Sequence, residues 1–134
     1  MRATGGYRLF SNPSCSLGAQ LAANATAWTT LSDRHAKENI RSIDTRQVLD
    51  QLAQMPITEW NYKADPAQRR YIGPMAQDFH AAFGLGDDDT RINTLDTDGV
   101  TLAAIQALYQ QLQAERARND ALELRLKALE ARLP

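Results

Sequence analysis

Cysteine is nearly missing from this sequence. Cys15 stands alone, so no disulfide can form within the chain, and neither a CxxC pair nor a Cys/His zinc spacing occurs. An excess of one charge sign is missing too. Fifteen basic residues face sixteen acidic ones, a net charge of −1, and a chain so balanced makes no electrostatic claim on nucleic acid or on an anionic membrane. Lysine is scarce: twelve of the fifteen basic residues are Arg, which favours ion pairing over a diffuse Lys-rich surface. No apolar run approaches the roughly 20 residues that span a bilayer, and the opening MRATGGYRLF lacks the apolar core of a signal peptide. That opening starts abruptly in what reads as a strand, as a piece of a longer protein does. What is present suits one domain with appendages: 134 residues, 43% hydrophobic and 23% charged.

Residues 1–31 carry almost no charge after Arg8 and are rich in Gly, Ala, Ser, Thr and Asn. GYRLFS alternates as a strand, NPS signals a turn, and GAQLAANATAWTTL offers one or two further short strands. Such pieces bury no core by themselves and read as the end of a β-structured stalk that needs neighbouring chains. From Ser32 the composition changes. IDTRQVLDQLAQMP predicts a helix with Asp44 as its cap, Gln47 at the capping-box position, Pro56 after its end, and Val48, Leu52 and Met55 on its inner face. ITEWNYK alternates as a strand with Thr58, Trp60 and Tyr62 on one side, and RRYIG is its expected partner across ADPAQ. PMAQDFHAAFG predicts a short helix with Pro74 in its first turn, Gly84 at its end, and Met75, Phe79 and Phe83 as its stripe. DDDT reads as a polar loop, and RINTLDTDG as a strand and tight turn.

The last third holds heptads. With Ile105 at a, that position continues through Leu112, Asn119, Leu126 and Leu133, while d holds Leu108, Glu115, Leu122 and Leu129. Seven of nine seam positions are Leu or Ile, the pattern of a coiled coil. Arg118 and Arg125 fall at g, Glu123 and Glu130 at e. A parallel alignment sets each g Arg beside the e Glu of its neighbour, and Asn119 at a fixes register. The alternative is one amphipathic helix folded against its own domain, although such a helix usually shows a wider apolar stripe. Leu at both a and d does not choose between two chains and three. The open β lead favours three. The expected architecture is therefore α+β: a β-stalk end over 1–31, a small helix and strand domain over 32–99, and a helix over 100–134 forming a parallel trimeric coiled coil.

The junction TTLSDRHAKENI, Thr29 to Ile40, raises the question of chemistry. A serine hydroxyl attacks only when a base takes its proton. A lysine can be that base when burial or nearby cations lower its affinity for the proton, and Ser–Lys pairs are a known variant of the serine triad. Arg34 and Arg41 are the local cations in the sequence that could act on Lys37 in this way. The spacing S-x-x-x-x-K alone arises often by chance, and it fits equally well a helix cap at Ser32 or Asp33 beside a solvated Lys37.

Four blocks in order tip that balance: LSDRHAKENI, ITEWNYK, YIGPMAQDF, and DTDGVTLAAIQAL leading into the heptads. Together, over about Ser32 to Leu112, they resemble the S74 peptidase family, the intramolecular chaperone and auto-processing domain at the C-terminus of phage tail spikes and tail fibres. GGYRLFSNPSCSLGAQLAANATAWTTLSD also resembles the fibre end that precedes such domains. The resemblance implies a homotrimer that aligns the upstream fibre region of the same chain and then cuts itself off. Carried over, Ser32 matches the nucleophile, Lys37 the basic partner, and Leu31–Ser32 the scissile bond. The reaction would occur once per chain and need no metal or cofactor, in a virion or prophage-encoded surface fibre.

Other residues attract weaker claims. His35 lies close to Ser32 in sequence, and it and His80 are acid/base candidates; a partly exposed helix residue is the plainer reading of His35. Gln77 lies in the best-matching block as a possible supporting group. Asp87, Asp88 and Asp89 with Asp96 and Asp98 lack the spacing and closing Glu of an EF-hand, so a polar turn is the stronger reading. Trp60, Tyr62 and Phe79 are most simply core. Two other functions compete: a trimerisation cap that never cuts, and a membrane-anchored transcription regulator released by self-cleavage. The lack of a basic DNA-binding segment and of a membrane span argues against the latter.

Overall fold

The computed structural model describes residues 3–132. It divides into two compact units, Met1–Ser42 and Ile43–Pro134. In the first, β1 (Gly6–Phe10), β2 (Gly18–Ala22) and β3 (Thr29–Thr30) form one antiparallel sheet in sequence order. β1 and β2 pair from Gly6↔Ala22 to Phe10↔Gly18, and β3 adds only Gln20↔Thr29 and Ala19↔Thr30. The turn after β1 is knotted by Asn12, whose Oδ1 accepts the amides of Ser16 and Leu17 at 3.0 Å each. Gly18 can only be glycine, because a Cβ there would fall on the Leu9 carbonyl oxygen across the hairpin. No described residue of this unit is buried, and Leu9, Phe10, Leu17, Trp28 and Leu31 all stand exposed. A three-stranded sheet with no covered face has little hydrophobic support of its own.

The second unit is built on helices. α1 (Thr45–Gln54) begins where Asp44 accepts the amides of Arg46 and Gln47 at 3.0 and 3.1 Å, and it ends at Met55, held extended by Pro56. Gln47 thus receives Asp44's cap through its own backbone amide. β4 (Thr58–Trp60) pairs antiparallel with β5 (Tyr71–Gly73), Trp60 opposite Tyr71. α2 (Ala76–Phe83) closes on Gly84, whose φ of 63° is the left-handed cap that favours glycine. α1 is tied to α2 by Gln51 Nε2 donating to the Ala82 carbonyl at 2.8 Å. The core is small: Met55, Phe79 and Val100, with Val48, Leu52, Phe83 and Ile92 packed against it.

Four local expectations change. RINTLDTDG is not a strand and turn. Asn93 caps a helix by accepting the Leu95 amide at 2.9 Å, and α3 runs unbroken from Thr94 to Glu130. The cap, an acid in the first turn (Asp96) and the α1-packed residues that follow outweigh the helix-weakening Gly99. Pro74 lies one residue before the N-cap Met75, outside the first turn of α2. The strand in ITEWNYK stops at Trp60. Tyr62 is exposed rather than core, and stands edge-on to Trp60 with ring centroids 5.0 Å apart.

α3 has two apolar faces. Val100, Ala103, Ala104 and Ala107 are buried, with Val100 in the unit's own core. The strip beside it carries Ile105, Leu108, Leu112, Leu122, Leu126 and Leu129, each 47–56% exposed. Asn119 and Glu115 interrupt that row, and both are exposed. Leu133 lies outside the described residues. Leu102 and Tyr109 lie beside the row, exposed as well. The folded chain is α+β, with two small sheets and a C-terminal helix 37 residues long, about 55 Å at 1.5 Å per residue.

Candidate functional site

β3 ends at Thr30, so Leu31 and Ser32 follow the sheet in neither strand nor helix. Asp33 then takes β-region backbone and accepts the His35 amide through its carboxylate at 2.9 Å. This cap starts a single 3₁₀ turn, Arg34–Ala36. Lys37 stops the turn with extended backbone while its amide still donates to the Arg34 carbonyl at 3.3 Å. The turn folds Lys37 back over Ser32, and Lys37 Nζ donates to Ser32 Oγ at 2.8 Å. Five residues of separation thus become one hydrogen bond because the chain between them is a capped turn.

Ser32, Lys37 and Leu31 are all exposed in the single chain. His35 spends its backbone amide on Asp33, and its side chain has no hydrogen-bond partner among the described residues. The helix start expected at this junction is therefore only one turn, with Asp33 rather than Ser32 as its cap. That leaves the Ser32 hydroxyl free for Lys37. Leu31 lines a groove of about 270 Å³ on the β unit with Phe10, Ala19 and Thr30. Thr29 Oγ1, two residues before Leu31, donates to the Gln20 carbonyl at 3.1 Å. Sequence reading passed over Thr29, because a threonine in a polar, Thr-rich stretch carries no distinguishing pattern.

Gln77 lies in the second unit, at the start of α2. It lines a groove of about 690 Å³ with Trp60, Tyr62, Lys63, Met75 and Arg91. Trp60 Nε1 is buried there without a hydrogen-bond partner in the described residues. Trp60 also stacks on Tyr71 across the β4–β5 pair, with centroids 5.0 Å apart.

The acidic loop is organised by its own side chains. Asp88 accepts the Thr90 amide at 2.6 Å and its hydroxyl, and Arg91 Nη1 at 2.8 Å. Those bonds, the Thr90 hydroxyl's first, lower its carboxyl from 3.8 to about 2. Asp65 is held below the usual carboxylate range chiefly by the Arg69 side chain, which donates from Nε at 2.9 Å. His80 Nδ1 lies 2.9 Å from the Leu85 carbonyl, at the end of α2. Among the described residues, no helix is long and apolar enough to cross a membrane.

No curated protein matches the chain. Three of the four blocks quoted above, LSDRHAKENI, ITEWNYK and YIGPMAQDF, lie from the junction to the end of α2, and the fourth lies beyond it. Over that stretch the family resemblance holds: residues 32–84, from Ser32 to the glycine that caps α2, match the family model of Peptidase S74, chaperone of endosialidase.

Proposed function

We propose that this chain is a self-processing intramolecular chaperone: three copies zip along α3, hold the upstream β segments in register, and then cut the Leu31–Ser32 bond. The observation that carries the cutting is the 2.8 Å contact between Lys37 Nζ and Ser32 Oγ, at the residue where the family match begins. Lys37 takes the hydroxyl proton as Ser32 Oγ bonds to the Leu31 carbonyl carbon. The Leu31–Ser32 C–N bond then breaks, and the proton passes to the departing Ser32 nitrogen. Water hydrolyses the resulting ester, leaving a Leu31 carboxylate and restoring the Ser32 hydroxyl. No cofactor enters the balance.

Assembly supports the chemistry. A lysine serves as a base when it is taken out of water or set among cations, and one chain alone leaves Ser32 and Lys37 exposed. Copies of the same uncovered β unit, brought side by side, supply the cover. The heptads supply the reason they meet: an exposed apolar row more than half a helix long, running beside the buried alanines of α3. Aligning three β segments without such a clamp is slow, because non-local contacts must form before they are rewarded. A shared coiled coil raises their effective concentration. Cutting then leaves the fibre held by its unfolding barrier.

The same exposure of Ser32 and Lys37 favours one other reading, a cap that trimerises and never cuts. Denaturing electrophoresis of fresh protein beside Ser32→Ala and Lys37→Ala separates the two. Self-cleavage gives a fragment of residues 32–134 in the parent and none in either variant, a loss of at least about 10³-fold in rate. An intact parent, or equal cutting in all three, leaves the cap.

A further inference from the structure

The bond expected to break sits between two anchors of the same unit. Downstream is the capped 3₁₀ turn that holds Lys37 on Ser32. Upstream is β3, two residues long and joined to β2 by only two residue pairs. A strand that short holds poorly through its ladder alone. Thr29 adds a bond from its side chain, its hydroxyl donating to the Gln20 carbonyl on β2 at 3.1 Å. The Leu31 side chain then lies along the groove that Phe10, Ala19 and Thr30 also line.

We infer that Thr29 is a positioning residue: by pinning β3 to β2 it fixes the Leu31 carbonyl in reach of Ser32 Oγ, so that self-cleavage waits for the upstream sheet to fold. This rests on the cleavage reading above. The reacting carbon belongs to the peptide just before the nucleophile, and the attack closes a small ring. Its geometry depends on the Leu31 and Ser32 torsions and little else. The 3₁₀ turn sets the Ser32 side. The Leu31 side is set only while β3 stays on β2. With β3 released, the Ser32–Lys37 contact survives but the carbonyl swings through many orientations, and near-attack geometry becomes rare. A chain whose stalk end has not formed its sheet is thereby spared from cutting, and the chaperone stays attached until its client segment is in place.

The test is the self-cleavage rate of the full chain, read as appearance of the 32–134 fragment, for the parent and for Thr29→Val, Thr29→Ser and Thr30→Val. Valine keeps the shape and β preference of threonine but loses the hydroxyl. Thr30 follows in the same strand, and its side chain makes no hydrogen bond among the described residues. The expected result is cutting about tenfold slower in Thr29→Val, with the pH midpoint of the rate and the sedimentation mass unchanged. Thr29→Ser and Thr30→Val should run at close to the parent rate. Parent-like cutting by Thr29→Val overturns the inference while the cleavage reading stands, as does equal slowing by Thr30→Val or no rescue by serine. A shifted pH midpoint also overturns it, since that places the effect on the proton transfer rather than on position. A parent that yields no fragment overturns the cleavage reading and this inference together.

Discussion

Lys37 reaches Ser32 because Asp33 caps a turn that ends on the lysine itself. That economy explains why the spacing was readable as either chemistry or capping: Asp33 performs the capping, so Ser32 need not. Further along the chain, Asp88 shows how a loop is held without a core. Its carboxyl is lowered from 3.8 to about 2 because the ionised form accepts from Thr90 and Arg91. A depressed carboxylate stabilises the folded loop above about 3.8, and that contribution is lost as the pH falls from there to about 2. A carbon-detected NMR titration of Asp88 should have its midpoint near 2 in the parent and move up toward 3.8 in Thr90→Val. A midpoint near 3.8 in the parent would mean that the Thr90 and Arg91 bonds do not form. Nothing in DDDT marks Asp88 apart from its neighbours, since the distinction comes from the turn bringing Thr90 and Arg91 round to one carboxylate.

At the scale of elements, legibility followed punctuation. Asp44 and Pro56 bound α1, and Gly84 ends α2, each where residue chemistry alone sets the limit. RINTLDTDG misled because Thr-Asp-Gly is turn chemistry in isolation, whereas here Asn93 caps and the packing of Val100 and the alanines carries the helix through Gly99. Those alanines were overlooked since small residues weigh little in a hydrophobic pattern. They mark the strip on which α3 is buried, leaving the heptad row beside it exposed. Leu102 and Tyr109, three or four residues from Ile105, signalled that the row is wider than a and d alone. The two faces make separable predictions. Leu112→Asp and Leu122→Asp, each in a Ser32→Ala background, should reduce the assembly to single chains at micromolar concentration while the near-UV signal of Trp60 persists. Phe79→Ala should instead cost the second unit about 3–5 kcal/mol in denaturant unfolding, because Phe79 is buried in the core. Loss of the Trp60 signal in the seam variants would mean the row is structural within one chain.

At the scale of the molecule, the boundary between compact units falls after Ser42, while the family match starts at Ser32. The junction therefore lies within the compact β unit while the family match begins inside it. No composition shift reveals that, because composition changes at Ser32 while the chain's packing does not. No described residue of the β unit is fully buried, and α3 carries an exposed apolar row. The account holds that the same event, association of three copies, answers both. Sedimentation equilibrium of the uncleavable Ser32→Ala chain tests this directly. The account predicts three times the 14.9 kDa chain mass at micromolar concentration, and a stable mass of one folded chain would contradict it.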